Sequence, residues 1–470
     1  MSKFHSTVSR RDFMKGLGLA GAGLGAAAAT APVFHDLDEV TASPSGIQKH
    51  PWYVKELEHE KPTVEIDWSV YGNGGRLDRT RQVSGRRYPL SATSSAVAKI
   101  NATAAAAREL DSQGHRENWM KERFPSYKGE TIRDDAVTAS INRMNYGSFT
   151  GELDNVRRNI GEPMTIPTPD VKWQGTPEEN LKTMHTAARF FGAATIGVVE
   201  ITSVTKRLFN KNSSGGTPVN FKDVDAASSS SDEIVIPNKN KYLLFFSTLE
   251  SHQARVAPAT TLSGYEHYSH VERKIHYFLG SLGYQHNNVS SYTLSNPWGA
   301  FAGVTEHSRA CMVGTSYKYG NMFRGMHRIT TDFPMAPTAP YDAGIARFCK
   351  TCKTCSESCP WDAMPLGDAS WTHEEAEEEE LMNYTPGYKG WRLFNLKCIR
   401  CKNCHTQCPF NSYDDAMVHG LVRATAASVP IFNGFMANMH RAFGYGTKNP
   451  VDFWERDDMS MGRFDADWVK

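Results

Sequence analysis

The sequence lacks two features that would each place it in a broad class of protein. Its 470 residues carry 52 Lys and Arg against 51 Asp and Glu, so no sign of charge dominates. Nucleic acid binding needs a concentrated basic surface, and we expect no nucleic acid partner. Beyond the N-terminal segment, no stretch has the roughly 20 apolar residues of a membrane span. With 40% hydrophobic and 11% aromatic residues, a globular protein is expected, with any membrane attachment through a partner or a surface.

The N-terminal segment has the pattern of a twin-arginine export signal. Ser9-Arg10-Arg11-Asp12-Phe13-Met14-Lys15 precedes a Gly/Ala run at 16–29, which is too short for a membrane span. Ala27, Ala28 and Ala29 offer a cleavage site, so residues 1–31 are predicted to be a signal peptide and the mature protein to work outside the cytoplasm. The alternative is a basic amphipathic arm on a cytoplasmic protein.

Eight of the nine cysteines lie in two copies of the pattern CxxCxxCxxxCP. Three cysteines two residues apart wrap one cubane iron-sulfur cluster, while the fourth, before the proline, binds the other cluster. Zinc ribbons use separated CxxC pairs, and disulfide frameworks suit small secreted domains. The sequence therefore predicts two [4Fe-4S] clusters. Their predicted ligands are Cys349, Cys352, Cys355 and Cys408 for cluster 1, and Cys398, Cys401, Cys404 and Cys359 for cluster 2.

The cysteine that remains, Cys311, is expected to be a buried and unreactive thiol. Cluster insertion takes place in the cytosol, so a cluster protein has to cross the membrane already folded. Twin-arginine export permits this, and the signal and the cysteine motifs therefore support each other.

The chain ahead of the cysteines predicts a mixed core of helices and strands. Thr176 and Glu179 form a capping box, with Pro177 at the first helical position. Residues 71–87 and the Ser/Gly-rich stretch 210–232 are expected to be loops, and 283–348 to be loop-rich. In a second helix Tyr268 is expected to point inward. The predicted elements are a helix at 177–191, a strand at 196–204, a strand at 241–248 and a helix at 263–282.

Four stretches together resemble the respiratory reductive dehalogenases, and the match covers nearly the whole chain. They are the signal SRRDFMK, the stretch Phe278-Leu279-Gly280-Ser281-Leu282-Gly283-Tyr284, the sequence Thr331-Asp332-Phe333-Pro334, and the two cysteine motifs. The resemblance implies an α/β (α+β) fold in which a nitroreductase-like corrinoid-binding core adjoins a ferredoxin-like two-cluster domain. The implied layout is an N-terminal unit at 32–165, the core at 166–340, the cluster domain at 341–415 and a tail at 416–470 that packs on the core.

The same resemblance implies the cofactors and partners. The family holds a corrinoid in its base-off form, and this sequence has no Asp-x-His-x-x-Gly motif that would supply a histidine ligand to cobalt. A small organohalide substrate, a low-potential electron donor and a small integral-membrane anchor subunit are implied. The expected location is the outer face of the cytoplasmic membrane, with the protein attached peripherally.

The resemblance also assigns three catalytic residues. Tyr268 matches the family's proton donor, with Tyr265 as the alternative one turn away. Arg328 matches the basic residue that lowers the pKa of that tyrosine, with Arg324 as the second choice. Asn296 matches a polar residue that positions halogen or substrate. Without the resemblance, these tyrosines read as core aromatics and these arginines as surface ion pairs.

Two other functions fit part of the sequence. Epoxyqueuosine reductase also combines a corrinoid with two such clusters, but it acts on tRNA in the cytoplasm, which disagrees with the export signal. A non-catalytic electron-transfer subunit would need only the cysteine motifs. The absorption spectrum of extracted cofactor separates these classes, because both enzymes require corrinoid.

Overall fold

The computed structural model describes residues 50–127 with several gaps, and then 171–213, 216–250, 260–311, 314–371, 385–394, 397–398, 403–411 and 417–443. The strands are β1 (Lys55–Glu56), β2 (Arg81–Val83), β3 (Arg86–Tyr88), β4 (Thr195–Glu200), β5 (Val219–Lys222), β6 (Ser228–Ser229), β7 (Ile234–Pro237), β8 (Tyr242–Leu249), β9 (Asn287–Asn288), β10 (Phe323–Thr331) and β11 (Tyr341–Asp342). The helices are α1 (His115–Arg123), α2 (Pro177–Phe191), α3 (Thr260–Ser281), α4 (Ser295–Phe301), α5 (Ile345–Cys352), α6 (Thr354–Glu357), α7 (Asn403–Thr406), α8 (Met417–Ser428) and α9 (Asn433–Phe443).

A four-stranded antiparallel sheet in the order β4-β8-β10-β9 forms the centre of the fold. Its second strand, β8, contains the uninterrupted apolar run 243–246, and all four of these side chains are fully buried. A strand can be apolar at consecutive positions only where both faces of the sheet are covered. Helices therefore pack on both faces of this sheet.

Helices α2 and α3 cover one face. The α2 helix begins as the sequence predicts, because Thr176 and Glu179 form a capping box and Gly192 ends the helix in the left-handed conformation. From α3, Val271, Ile275 and Leu279 pack against the sheet. Tyr268 on the same helix is buried as well, so the prediction that it points inward is confirmed.

The short helix α4 covers the opposite face. Its Trp298 and Phe301 are buried against Phe245 of β8. Gly197 of β4 permits this close approach, because a Cβ atom at that position would lie 2.1 Å from the carbonyl oxygen of Ala302. The sheet consequently has one face towards α2 and α3 and another towards α4.

The cysteine-bearing segment has an apolar core of its own. Phe348 of α5 packs edge-on against Phe410, and Val422 of α8 and Met436 of α9 join them. Strand β11, just before α5, pairs with β1 near the start of the described chain. Among the described residues, no helix combines the length and apolar character required to cross a bilayer.

The structure differs from the sequence prediction in three loop regions. Residues 71–87 contain a 3-10 turn and the strand pair β2–β3, while 210–232 contains β5 and β6. Residues 283–348 include strand β10, on which Arg324 and Arg328 lie, so these arginines are not loop residues. A register irregularity between Arg324 and His327 interrupts the alternation that marks a strand in sequence.

Several predictions fall outside the described residues. They concern the signal segment 1–31 with its cleavage site at Ala29, much of the N-terminal unit 32–165, and Cys401. The boundaries of the core, the cluster domain and the tail stay predictions. The mixed helix and strand fold itself is confirmed.

Candidate functional site

Four thiols of the two motifs come together where α5, α6 and the end of α7 meet. Cys408 of the second motif packs in one apolar cluster with Cys349 and Cys352 of the first. Burial raises the pKa of Cys349 to about 12, and burial with nearby thiols raises the pKa of Cys355 and of Cys408 well above its usual value. These are the four ligands predicted for cluster 1.

A second group of thiols lies beside the first. Cys359 of the first motif shares an apolar cluster with Cys398 and Cys404 of the second, and Cys355 and Cys311 also contact this cluster. The last cysteine of each motif therefore lies among the thiols of the other motif, and the spacing of the motifs predicts this exchange. Cys311, the ninth cysteine, lies against these thiols.

The donor set fits iron-sulfur clusters. Thiols at these positions are buried among one another, where an uncompensated thiolate would be costly, and bound iron supplies the positive charge that offsets this cost. Among the described side chains, no group of three or more His, Cys, Asp or Glu is arranged to hold a single metal ion. In a cubane each thiolate binds a different iron.

Arg309 holds the cluster segment together, a role that was not predicted from the sequence. Its side chain is fully buried. Nε donates to the carbonyl oxygen of Cys349 at 2.9 Å, and Nη1 donates to the carbonyl oxygens of Pro365 and Gly367 at 2.7 Å each. The guanidinium also lies 4.9 Å from the ring centre of Trp391. A buried guanidinium thus fixes the backbone that carries the first motif.

Tyr268 is buried on α3 at the face towards the sheet, with only 5% of its surface exposed. The imidazole of His327, on β10, lies 4.0 Å from its ring, centre to centre. Nδ1 of His327 is 2.9 Å from Oε1 of Glu272, one turn along α3, although its N–H is not aligned for a hydrogen bond. His327 and Glu272 were not singled out from the sequence. The side chains of Tyr265 and Arg324 lie outside the described part of the structure.

Arg328 follows His327 on β10 and is directed to the other face of the sheet. His327 pairs across the sheet with Phe246, which packs under α2 and α3, whereas Arg328 pairs with Phe245, which packs under α4. The guanidinium of Arg328 donates to Oγ1 of Thr293 and to the carbonyl oxygen of Ser290, each at 2.8 Å. The structure therefore brings His327 next to Tyr268 and places Arg328 on the α4 side.

Asn296, the third predicted site residue, lies on α4. Its Nδ2 donates to the carbonyl oxygen of Cys311 at 2.9 Å, whereas its Oδ1 is buried and has no partner among the described residues. Within the described part of the segment 296–321, three more buried polar atoms lack partners: Nε1 of Trp298, Oγ1 of Thr305 and Nδ2 of Asn321.

The residues of this segment fit a large cofactor with a polar edge. Buried polar atoms are normally hydrogen-bonded, so a group of them without partners indicates a ligand that supplies the partners. A corrinoid carries amide side chains around its rim and could supply both donors and acceptors. Asn296, whose side chain is only half-buried, is the residue of this set that could reach such a group.

Comparison with known proteins agrees with a chain that combines a cysteine-bearing cluster segment with a core of helices and strands. Residues 348–412 match the family described as a 4Fe-4S dicluster domain. The chain is 30% identical to the trichloroethene reductive dehalogenase of Dehalococcoides mccartyi, over 95% of each chain. It is also 30% identical to the chloroethene reductive dehalogenase of Dehalococcoides mccartyi strain VS, over 97% of this chain and 98% of the relative.

Solved structures show the same fold. The catabolic reductive dehalogenase NpRdhA, in complex with 3-bromo-4-hydroxybenzoic acid, matches 88% of this chain with a TM-score of 0.55 and 16% identity. A reductive dehalogenase structure connected with B12-dependent dehalogenation matches with a TM-score of 0.52 and 15% identity. The chain spans about half the length of these solved chains, 52% in both cases.

Tandem thiol groups joined to a mixed helix and strand core define an iron-sulfur oxidoreductase. The chain belongs to the reductive dehalogenase family, whose members act on carbon–halogen bonds.

Proposed function

We propose that this protein reductively removes halide from a small organohalide and that Tyr268 donates the proton. Two electrons and one proton convert the carbon–halogen bond into a carbon–hydrogen bond and release halide. Family membership supports the reaction class. The observation that carries the site assignment is the buried position of Tyr268 beside His327 and Glu272.

The two thiol groups suit delivery of electrons one at a time through two [4Fe-4S] clusters. Cys355 lies between the groups, since it contacts the second and is close enough to Cys349 and Cys408 for their charges to affect its pKa. A base-off corrinoid bound within reach of Tyr268 would supply low-valent cobalt, at which carbon–halogen bonds can be reduced. Asn296 would help to hold the corrinoid or the substrate through its unpartnered Oδ1.

A buried phenol suits proton donation to carbon. An apolar site excludes water, so the proton comes from a positioned group rather than from solvent. A phenolate left behind in such a site needs a neighbouring positive charge or a fresh proton. Tyr268 has His327 in ring contact, whereas Arg328, the predicted basic partner, is held on the other side of the sheet. The role of Arg328 beside the tyrosine stays a prediction.

Replacing Tyr268 with Phe tests the donor assignment in the cluster- and corrinoid-loaded enzyme. We expect halide release from chlorinated ethenes, with a low-potential donor, to fall by about 100-fold or more. Tyr277→Phe is the matched control, because Tyr277 is half-buried on the same helix and its hydroxyl has no hydrogen-bond partner among the described residues. Iron, sulfide and corrinoid contents should stay at wild-type values in both variants. Full activity in Tyr268→Phe would show that another group donates the proton.

We also propose that the protein is exported by the twin-arginine route and acts in anaerobic respiration at the outer face of the cytoplasmic membrane. The paired Arg10 and Arg11 before an apolar run support export. A small integral-membrane anchor subunit and a low-potential donor would complete the system. Replacing both arginines with Lys should leave the uncut protein in the cytoplasm, which cell fractionation measures. Unchanged export of this variant would exclude the twin-arginine route.

A further inference from the structure

Four ionisable side chains run outward from Tyr268, those of His327, Glu272, His276 and His286. Tyr268, Glu272 and His276 follow each other at four-residue spacing, so they occupy one face of α3. Nδ1 of His327 lies 2.9 Å from Oε1 of Glu272, and that same oxygen lies 3.6 Å from Nε2 of His276. Nδ1 of His276 then approaches Nδ1 of His286 to 3.0 Å. Neighbouring nitrogen and oxygen atoms of His327, Glu272, His276 and His286 are therefore 2.9 to 3.6 Å apart, and these side chains lie in one line.

Exposure rises along this line. The side chain of His327 is 10% exposed, that of Glu272 is 14% exposed and that of His276 is 20% exposed. One end is thus buried against the Tyr268 ring and the other reaches solvent. A line that only stabilised the helix would have no need to begin at a buried phenol.

Glu272 stays charged although it is largely buried. Burial acts to raise its pKa, but the neighbouring imidazoles of His276 and His327 outweigh this effect and lower the pKa to about 2. Asn288 of β9 also donates a hydrogen bond to Oε1 of this carboxylate. A buried carboxylate between two histidines costs desolvation and is a weak source of stability. A functional role of Glu272 therefore explains the desolvation cost better than a contribution to stability does.

Two histidines of the line, His327 and His286, have a pKa below the usual value. Burial lowers the pKa of His327, and the Glu272 carboxylate offsets part of that effect, while the charge of Arg328 adds to the lowering. Burial and the charge of His276 lower the pKa of His286, with Asp332 acting in the opposite direction. A phenolate formed at Tyr268 would add a negative charge beside His327 and so favour proton uptake there.

We propose that His327, Glu272 and His276 form a proton path that returns a proton to Tyr268 after each turnover, an inference that depends on the proposed donor role of Tyr268. In the preceding step, the substrate carbon receives two electrons from the low-potential electron donor and its bond to halogen breaks, which releases halide; the O–H bond of Tyr268 breaks and its proton joins that carbon. The phenolate then takes a proton from His327, whose proton is replaced through Glu272 and His276 from solvent. One solvent proton is consumed for each carbon–hydrogen bond formed.

The proton path predicts a difference between the first turnover and later ones. The first proton is already on Tyr268, so His327→Gln and His276→Gln should form the first equivalent of product at the wild-type rate. Later turnovers should slow by about tenfold or more, and more strongly as the pH rises from 6 to 9. Added imidazole should restore the later turnovers in proportion to its concentration. His270→Gln, at an exposed position of the same helix, should behave like wild type.

The thermal unfolding midpoint and the iron content of each variant provide readouts that do not depend on activity. Wild-type steady-state rates at every pH in His327→Gln and His276→Gln would overturn the proposal, and so would a slow rate that imidazole does not restore in a folded, iron-replete variant. If Tyr268→Phe is inactive while these histidine variants match wild type, only the proton path fails. If Tyr268→Phe keeps full activity, the donor assignment fails and the path fails with it.

Discussion

Nε of Arg328 donates a hydrogen bond to Oγ1 of Thr293 at 2.8 Å. The same guanidinium donates to the carbonyl oxygen of Ser290 at 2.8 Å and to that of Met326. Two of these three bonds, to Thr293 and Ser290, connect β10 to the turn before α4, and the third stays within β10. This geometry favours a structural role, because the N–H groups of the guanidinium already donate hydrogen bonds on the side of the sheet away from His327.

Arg328→Lys tests this role. Lysine cannot reproduce the planar fork, so buried acceptors lose their partners and the free energy of unfolding should fall on the order of 2 kcal/mol. The pH profile of the folded, cofactor-loaded variant should match wild type. Thr293→Val is the matched control, since it removes one acceptor and should destabilise less. If Arg328→Lys shifts the pH optimum without lowering the unfolding midpoint, Arg328 tunes the pKa of Tyr268 instead.

Arg309→Lys should weaken retention of the first cluster. The change removes donors from the carbonyl oxygens of Cys349, Pro365 and Gly367, and each buried acceptor left unpaired costs about 1 to 3 kcal/mol. Iron release to a chelator, followed by absorbance under anaerobic conditions, should be faster than in wild type. Arg347→Lys is the control, because Arg347 forms a partly exposed pair with Asp342 at 2.6 Å and such pairs contribute little. Equal release rates in both variants would contradict the role given to Arg309.

Glu306→Gln should change how stability depends on pH. Glu306 is buried, and burial together with the negative charge of Asp342 raises its pKa from 4.5 to about 8. Between pH 5 and 8 the unfolded chain loses this proton while the folded chain keeps it. Stability should therefore fall as the pH rises through this window, by up to about 1.4 kcal/mol per pH unit, and the loss should end above pH 8.

The glutamine variant lacks this ionisable carboxyl group and should lose less stability between pH 5 and 8. Apparent unfolding midpoints at pH 5, 6, 7 and 8, at one scan rate, measure the difference. Glu65→Gln is the control, because Glu65 is an exposed partner of Lys389. Parallel midpoint curves for wild type and Glu306→Gln would show that Glu306 is ionised in the folded protein throughout.

Local patterns in the sequence predicted the elements that local physics determines. The capping box fixes the start of α2 at Pro177, and helical spacing fixes the inward face of α3, including Tyr268. The spacing of the cysteines predicted that Cys359 and Cys408 would each join the other motif. Cys408 packs with Cys349 and Cys352, and Cys359 packs with Cys398 and Cys404, while their roles as cluster ligands stay a prediction. These signals depend on residues close together in the chain.

The rest of the site depends on contacts that the sequence does not encode locally. The sequence of β10 shows little alternation of apolar and polar residues, because its buried positions include His327 and Arg328. Their burial is made possible by partners 35 to 55 residues earlier in the chain. The family resemblance pointed to Arg328, yet the alternation of a strand directs adjacent residues to opposite faces. Only the register of β10 against β8 shows that His327 is the residue on the Tyr268 side.

The crossing of ligands between the motifs predicts which cluster each cysteine variant loses. Cys408 follows the second motif in sequence but packs with Cys349 and Cys352, whereas Cys359 packs with Cys398 and Cys404. Cys408→Ala should therefore destroy the same cluster as Cys349→Ala, and the double variant should retain as much iron as either single variant, about half of wild type. Cys408→Ala combined with Cys398→Ala should lose both clusters. Iron and sulfide analysis of anaerobically purified protein measures this, and a Cys408→Ala, Cys349→Ala variant without iron would show that each motif binds its own cluster.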